Sequence, residues 1–193
     1  MSRAYPRTVD CGGVAVELRR FLPADEAAVL AFAKALPPHD LLFINRDITH
    51  PRVIKAWLAE IAEGTISTII AVADGKVVGC CAVVSDALSW SPHVGEIRVL
   101  VATEMRDRGL GRTLAQEALV EGIGRGLTKL TVQMTIDQRG AIAVFEGLGF
   151  RGEALLKEQV KSRDGTLHDI AVLSHDVAQV SAQQALMGID NIA

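Results

Sequence analysis

The sequence predicts a mixed α/β fold of the α+β kind, with about seven strands in one central sheet. Three observations carry this. Two β-branched apolar runs, residues 65–73 and 76–84, are separated by Asp74-Gly75, a pair that tolerates positive φ and closes a hairpin. An apolar run of strand type, Ile97 to Val101, ends in a polar corner with two glycines. Beyond it apolar residues recur at helical spacing (Leu110, Leu114, Ala118). Finally, residues 127–136 alternate, with Lys129, Thr131, Gln133 and Thr135 set against Leu130, Val132, Met134 and Ile136.

In chain order, residues 14–21 alternate as a first strand. Pro23 opens a helix whose first turn holds Asp25 and Glu26 at the positive end of its dipole, and Pro37-Pro38 stops it. Residues 39–50 show no period and read as a loop with a short element. A second helix begins at Thr49-His50-Pro51, places Val53, Ile54, Trp57, Leu58 and Ile61 on one face, and ends near Gly64. The hairpin follows, then a third antiparallel strand at 93–102, the glycine corner, and a helix ending at 124–126. After the strand at 127–136 comes a short helix closed by Gly149, then strands at 153–162 and 167–176 joined by Arg163-Asp164-Gly165. The order is βααβββαβαββ. No linker or repeat divides the 193 residues, which suit one domain with a core at about 14–177 and a frayed helical tail at 178–193.

Composition narrows the function. A net charge of −3, no basic block, and only five Phe, two Trp and one Tyr argue against nucleic acid as a partner. No apolar run approaches the roughly 20 residues that cross a bilayer, so no membrane partner is expected. The first ten residues carry no apolar signal core, and the expected compartment is cytoplasmic. Cys11, Cys80 and Cys81 form no Cys-x-x-Cys, and five histidines are scattered, so no metal is expected. Adjacent Cys80 and Cys81 read as apolar core thiols.

The corner carries the chemistry. A strand feeding a glycine-rich turn that opens a helix makes a phosphate site, because the first helical amides lack partners and share the positive end of the dipole. Gly109 and Gly111 let the backbone approach a ligand closely. A dinucleotide fingerprint is excluded, since Leu114 stands three residues past Gly111. A P-loop is excluded because no lysine occurs between Lys76 and Lys129. Arg106, Arg108 and Arg112 would oppose the helix dipole unless an anion balanced them.

What remains, Arg106-x-x-Gly109-x-Gly111 after Val101 and Glu104, resembles the acyl-CoA-binding motif of the GNAT superfamily of N-acetyltransferases; Thr103 replaces the usual proline. Ala141 to Phe150 is similar to that family's Ala-Ile-x-Leu-Tyr-Glu-x-Leu-Gly-Phe helix. The resemblance implies a GNAT fold whose sheet splays between its fourth and fifth strands. It implies acetyl-CoA as cosubstrate and direct transfer of acetyl to a small-molecule or peptide primary amine. The diphosphate would rest on the corner of Arg106, Asp107, Arg108, Gly109, Leu110, Gly111, Arg112 and Thr113. The amide arm would pair beside Val99, Leu100 and Val101, with Gln138, Ala141 and Phe145 completing the cleft. Pairing of late strands in the family makes a homodimer an expectation.

Proton transfer sets the remaining questions. A lysine-type amine, with a pKa of about 10.4, needs a base. Two roles are open to Glu96, on the strand entering the corner: general base, or ion-pair partner of Arg98 on the same strand face. His93 is a weaker relay. The family's usual tyrosine proton donor is replaced by Phe145, and the sole Tyr5 is N-terminal. Gln138 stands in the place of a common Asn. The loss of the tyrosine also admits an alternative, an acyl-CoA-binding regulatory module without efficient transfer. The acceptor pocket is expected from 36–50, 88–93 and 163–169, with Phe43, Trp90 and His93 as lining. Few acids there (Asp40, Asp47, Asp86) argue against a strongly cationic acceptor.

Overall fold

The computed structural model describes residues 3–44 and 46–177; the tail expected at 178–193 lies outside the described residues. Its elements are β1 (Arg7–Asp10), β2 (Ala15–Arg20), α1 (Glu26–Ala35), α2 (Pro51–Ala62), β3 (Ile66–Ala73), β4 (Lys76–Val84) and β5 (Val94–Val101). They continue with α3 (Leu110–Gly124), β6 (Lys129–Thr135), α4 (Arg139–Gly147), β7 (Arg151–Lys161) and β8 (Leu167–Asp176). One mixed sheet runs β1-β2-β3-β4-β5-β6-β8-β7.

The sheet therefore has eight strands rather than about seven. The addition is β1, which pairs antiparallel with β2 from Arg7 opposite Leu18 to Asp10 opposite Ala15. Its Arg-Thr-Val-Asp holds one apolar residue, too little alternation to register as a strand in sequence. The β3–β4 turn is as expected, with Asp74 at φ 48° and Gly75 at φ 71°. β4 is buried on both faces, which accounts for its unbroken apolar run.

Helix α3 covers one face, with Leu110, Leu114, Ala115 and Ala118 wholly buried. Glycine at 79 and 122 permits this fit: a Cβ on Gly79 would lie 2.9 Å from Leu114, and one on Gly122 would lie 2.7 Å from Leu130. α1 and α2 cover the other face, where Trp57 Nε1 donates to Thr68 Oγ1 at 2.9 Å. Glu117 of α3 is fully buried and ties the N-terminal segment down. Arg3 and Arg7 both pair with its Oε1, and the Tyr5 hydroxyl donates to Oε2 at 2.6 Å.

Strand β5 makes the site. It pairs antiparallel with β4 along its length, from Gly79 opposite Val101 to Val84 opposite Glu96. Its parallel pairing with β6 starts at Val94 opposite Lys129 and stops at Ile97 opposite Val132. Beyond Ile97 the two strands diverge, so the sheet opens between β5 and β6. Among the described residues, no helix is long and apolar enough to cross a membrane.

Candidate active site

The opening exposes strand backbone. Ala102 N–H donates to Val78 O of β4 at 2.9 Å. Backbone groups alternate along a strand, so those of Leu100 also face β4, while those of Val99 and Val101 face the gap. Across it stand Val132, Gln133 and Met134 of β6, and the cleft has a volume of about 500 Å³.

At the far end of the cleft lies the glycine corner. Asp107 (φ 58°) and Gly109 (φ 83°) are both left-handed, and this reverses the chain into α3. The first intrahelical bond is Thr113 N–H to Gly109 O at 3.0 Å, which leaves the amides of Leu110, Gly111 and Arg112 ahead of the ladder. Gly111 lines the cleft with space at its Cβ position; Val101 Cγ2, at 3.7 Å, is at ordinary contact distance. Arg112 also lines it and has no side-chain partner among the described residues.

Of the predicted coenzyme residues, Val99, Leu100, Val101, Arg106, Asp107, Gly109, Gly111, Arg112, Gln138, Ala141 and Phe145 come together around this one cleft. Leu110, Arg108 and Thr113 stand behind it. The Leu110 side chain is wholly buried in the core, leaving its amide as the group available to a ligand. Arg108 Nη1 reaches Gly12 O at 3.5 Å. Thr113 bonds to the Cys11 side chain, whose thiol is pushed up by burial. The β1–β2 turn thus buttresses the corner from behind, a role for which the sequence offered no local signal.

That buttress is testable. Gly12 has φ +63°, and a Cβ there would lie 3.1 Å from Arg108 Cβ. Gly12→Val should displace the corner and raise the KM for acetyl-CoA about tenfold, from strain of roughly 1–3 kcal/mol. The KM for acetyl-pantetheine, which lacks the diphosphate, should not move. Steady-state kinetics with both donors checks it.

A strap crosses the cleft mouth. The 3₁₀ turn Pro38–Leu41 pairs on one side through Asp40 with Arg106, and on the other through His39 Nε2 with Asp137 Oδ2 at 2.8 Å. Thr135 and His39 hold the Asp137 carboxyl below its usual range. Phe43, expected at the acceptor mouth, is buried and lines this cleft instead. Sequence reasoning missed Asp137 and the β6 residues at this cleft and placed Asp40 at the acceptor pocket instead, because their partners are remote in the chain.

A second cavity of about 400 Å³ lies on the α2 side of β4 and β5. Leu100 lines both cavities, and Phe43 and Ile44, adjacent in the chain, line one each. Val53 and Trp57 of α2 form its wall. Trp90 is fully exposed, and neither it nor His93 lines either of these two cavities; His93 O accepts the Thr128 and Lys129 amides at 3.0 and 3.2 Å. Glu96, Arg98 and Leu100 share one strand face. Arg98 lines the second cavity, and its Nε donates to Glu96 Oε1 at 2.7 Å.

Phe145 is buried at the cleft and packs edge-on against Phe150, with centroids 5.1 Å apart, so it provides apolar contact alone. Burial pushes the Cys80 thiol up to about 12, which leaves it no thiolate character for nucleophilic work. Among the described residues, no group of three His, Cys, Asp or Glu is placed to hold a metal.

A gap between parallel strands that ends on an amide-rich helix start is an anion-binding arrangement. The model of the Acetyltransferase (GNAT) family matches residues 33–150, and the chain belongs to that family. Solved structures share the fold. A GNAT-family acetyltransferase from Streptococcus pneumoniae is 19% identical at a TM-score of 0.73, covering 83% of this chain and 99% of that one. The ribosomal-protein-alanine N-acetyltransferase of Brucella melitensis is 24% identical at 0.72, covering 82% and 98%. Spermidine N-acetyltransferase from Vibrio cholerae, solved with CoA and spermine, is 16% identical at 0.70, covering 84% and 96%. No curated protein matches the chain.

Proposed function

We propose that the protein transfers acetyl from acetyl-CoA to a primary amine in a ternary complex, without a covalent enzyme intermediate. The observation that carries this reading is the meeting of two cavities at Leu100. One holds an anion-ready corner and free strand edge; the other opens on the opposite side of β5. Relatives of this fold act, by name, on spermidine and on a ribosomal protein, so the fold accommodates amines of either size.

The cofactor supplies an activated acetyl group as a thioester. The amides of Leu110, Gly111 and Arg112 and the Arg112 guanidinium hold the diphosphate through charge-assisted hydrogen bonds. Val99 and Val101 pair with the amide arm as an added strand would. Held this way, the thioester would lie beside Leu100, where the two cavities meet and an amine could reach it.

Before attack the amine must lose a proton. Glu96 lies four residues from Leu100 on the same strand face, about 13 Å along the strand, and lines neither cavity, so as base it acts through a relay of several waters rather than by direct contact. Its ion pair with Arg98 orients it rather than competing with that role, since one carboxylate oxygen remains open. At the departing sulfur, Phe145 donates nothing. The Gln138 carboxamide, at the start of α4 and lining the cleft, offers the N–H there.

Glu96→Gln keeps the Arg98 hydrogen bond and removes the base. We expect kcat to fall about a hundredfold with an alkylamine. With trifluoroethylamine, largely neutral at pH 7, the loss should be much smaller. Equal losses with both amines would remove Glu96 from proton transfer. Coenzyme binding without turnover of any amine would instead favour the regulatory module, the reading that Phe145 supports.

A further inference from the structure

Arg98 enters the second cavity with donors left open. Its side chain lines the cavity at 21% exposure, and only Nε is engaged, donating to Glu96 Oε1 at 2.7 Å. The two Nη groups have no partner among the described residues, and neither is sealed from solvent. Arg98 stands opposite Ala82 and Leu100 opposite Cys80, so the two are about 7 Å apart on one face of β5. An amine meeting the thioester beside Leu100 therefore has a fork of N–H donors one such step away. An oxygen on the carbon next to the amine-bearing carbon spans that step, with a hydrogen bond of about 3 Å.

Charge selects the kind of oxygen. Arg98 is already neutralised by Glu96, and Glu63 and Asp86 line the cavity with no ion pair to hold them. A free carboxylate on the acceptor would add to this negative charge, whereas a carbonyl takes the same donors without it. Basic groups elsewhere on the acceptor are admitted by the same two acids.

The remote base points the same way. Glu96 lines neither cavity, so an acceptor that is partly neutral on its own asks least of the water relay. At about pH 7.5 roughly a third of a peptide α-amine is neutral, against about a thousandth of a lysine-type amine.

We propose that the acceptor is the α-amine of an aminoacyl amide, the group found at a peptide N-terminus, and that Arg98 reads its first carbonyl. This rests on the acetyltransfer reading above and adds to it the acceptor class and a specificity residue.

The test measures kcat/KM per neutral amine, at saturating acetyl-CoA, for alaninamide, tetra-alanine amide, free alanine and propylamine. Alaninamide and the peptide should exceed propylamine about tenfold or more, the effect of one hydrogen bond from a charged donor. Free alanine should fall about fivefold below alaninamide. Arg98→Gln should cut the alaninamide-to-propylamine ratio about tenfold, and any disturbance of Glu96 lowers both amines and cancels in that ratio. The comparison among acceptors needs no variant, so it stands even if Arg98→Gln fails to fold. Propylamine equal to alaninamide, free alanine preferred, or a ratio unmoved by Arg98→Gln overturns the class while leaving acetyltransfer standing. Acetyl-CoA binding with no amine acetylated overturns both.

Discussion

Gly109→Val should raise the KM for acetyl-CoA about a hundredfold while leaving the KM for acetyl-pantetheine within about twofold. Gly109 sits at φ 83° immediately before α3, a conformation strongly disfavoured for a β-branched residue. Relaxing it toward negative φ rotates the amides of Leu110, Gly111 and Arg112 away from their common focus. Each hydrogen bond to a charged group contributes about 1.5–3 kcal/mol, so losing two accounts for the expected factor. A Cβ at Gly109 meets no atom within 4 Å, so the fold itself should survive. Kinetics with the two donors separates this effect from damage to the acceptor side, which would move both KM values together.

Glu117→Ala should give the largest loss of stability among single changes outside the core hydrocarbons, about 3 kcal/mol, and lower Tm by roughly 6–12 °C. Its carboxylate is fully buried and receives Arg3, Arg7 and the Tyr5 hydroxyl. Burial and that carboxylate together push the Tyr5 hydroxyl well up, so the phenol remains a donor at neutral pH. Arg7 Nε is already buried without a hydrogen bond, so losing Glu117 deepens an existing deficit. Arg3 and Arg7 are partly exposed and can turn to water, which limits the loss. Glu117→Gln, which still accepts the Tyr5 hydroxyl, should recover about half of it. Thermal melts measure the loss. Hydrogen exchange should show β1 opening first, and a melting point unchanged in Glu117→Ala would refute the role of this anchor.

The legible parts of the sequence were those where local pattern and tertiary role coincide. The bounds 76–84 and 167–176 match β4 and β8, because runs of alternating or β-branched residues ended at glycine turns. The corner was legible because its shape is set by the backbone, and glycine spacing reports backbone shape. β1 was not, having one apolar residue in four. Val53 and Trp57 show a subtler limit. Helical periodicity identifies an apolar face, but a face that lines a cavity has the same period as one that fills a core. Glu117 lies beside the buried row of Leu114 and Ala118, an acid in an apolar stripe. Its partners lie more than a hundred residues earlier, so their pairing follows only from the fold. Trp90, a large aromatic in a loop, suggested a pocket wall; in the fold it is fully exposed and lines neither cavity.

The central claim is that three amides at the start of α3 hold a diphosphate so that a thioester reaches the gap beyond Ile97. A crystal structure of the protein with CoA tests it most directly. The expected result has diphosphate oxygens about 3 Å from the nitrogens of Leu110, Gly111 and Arg112, with the thiol beside Leu100. Coenzyme bound elsewhere, with those amides facing solvent alone, would contradict it.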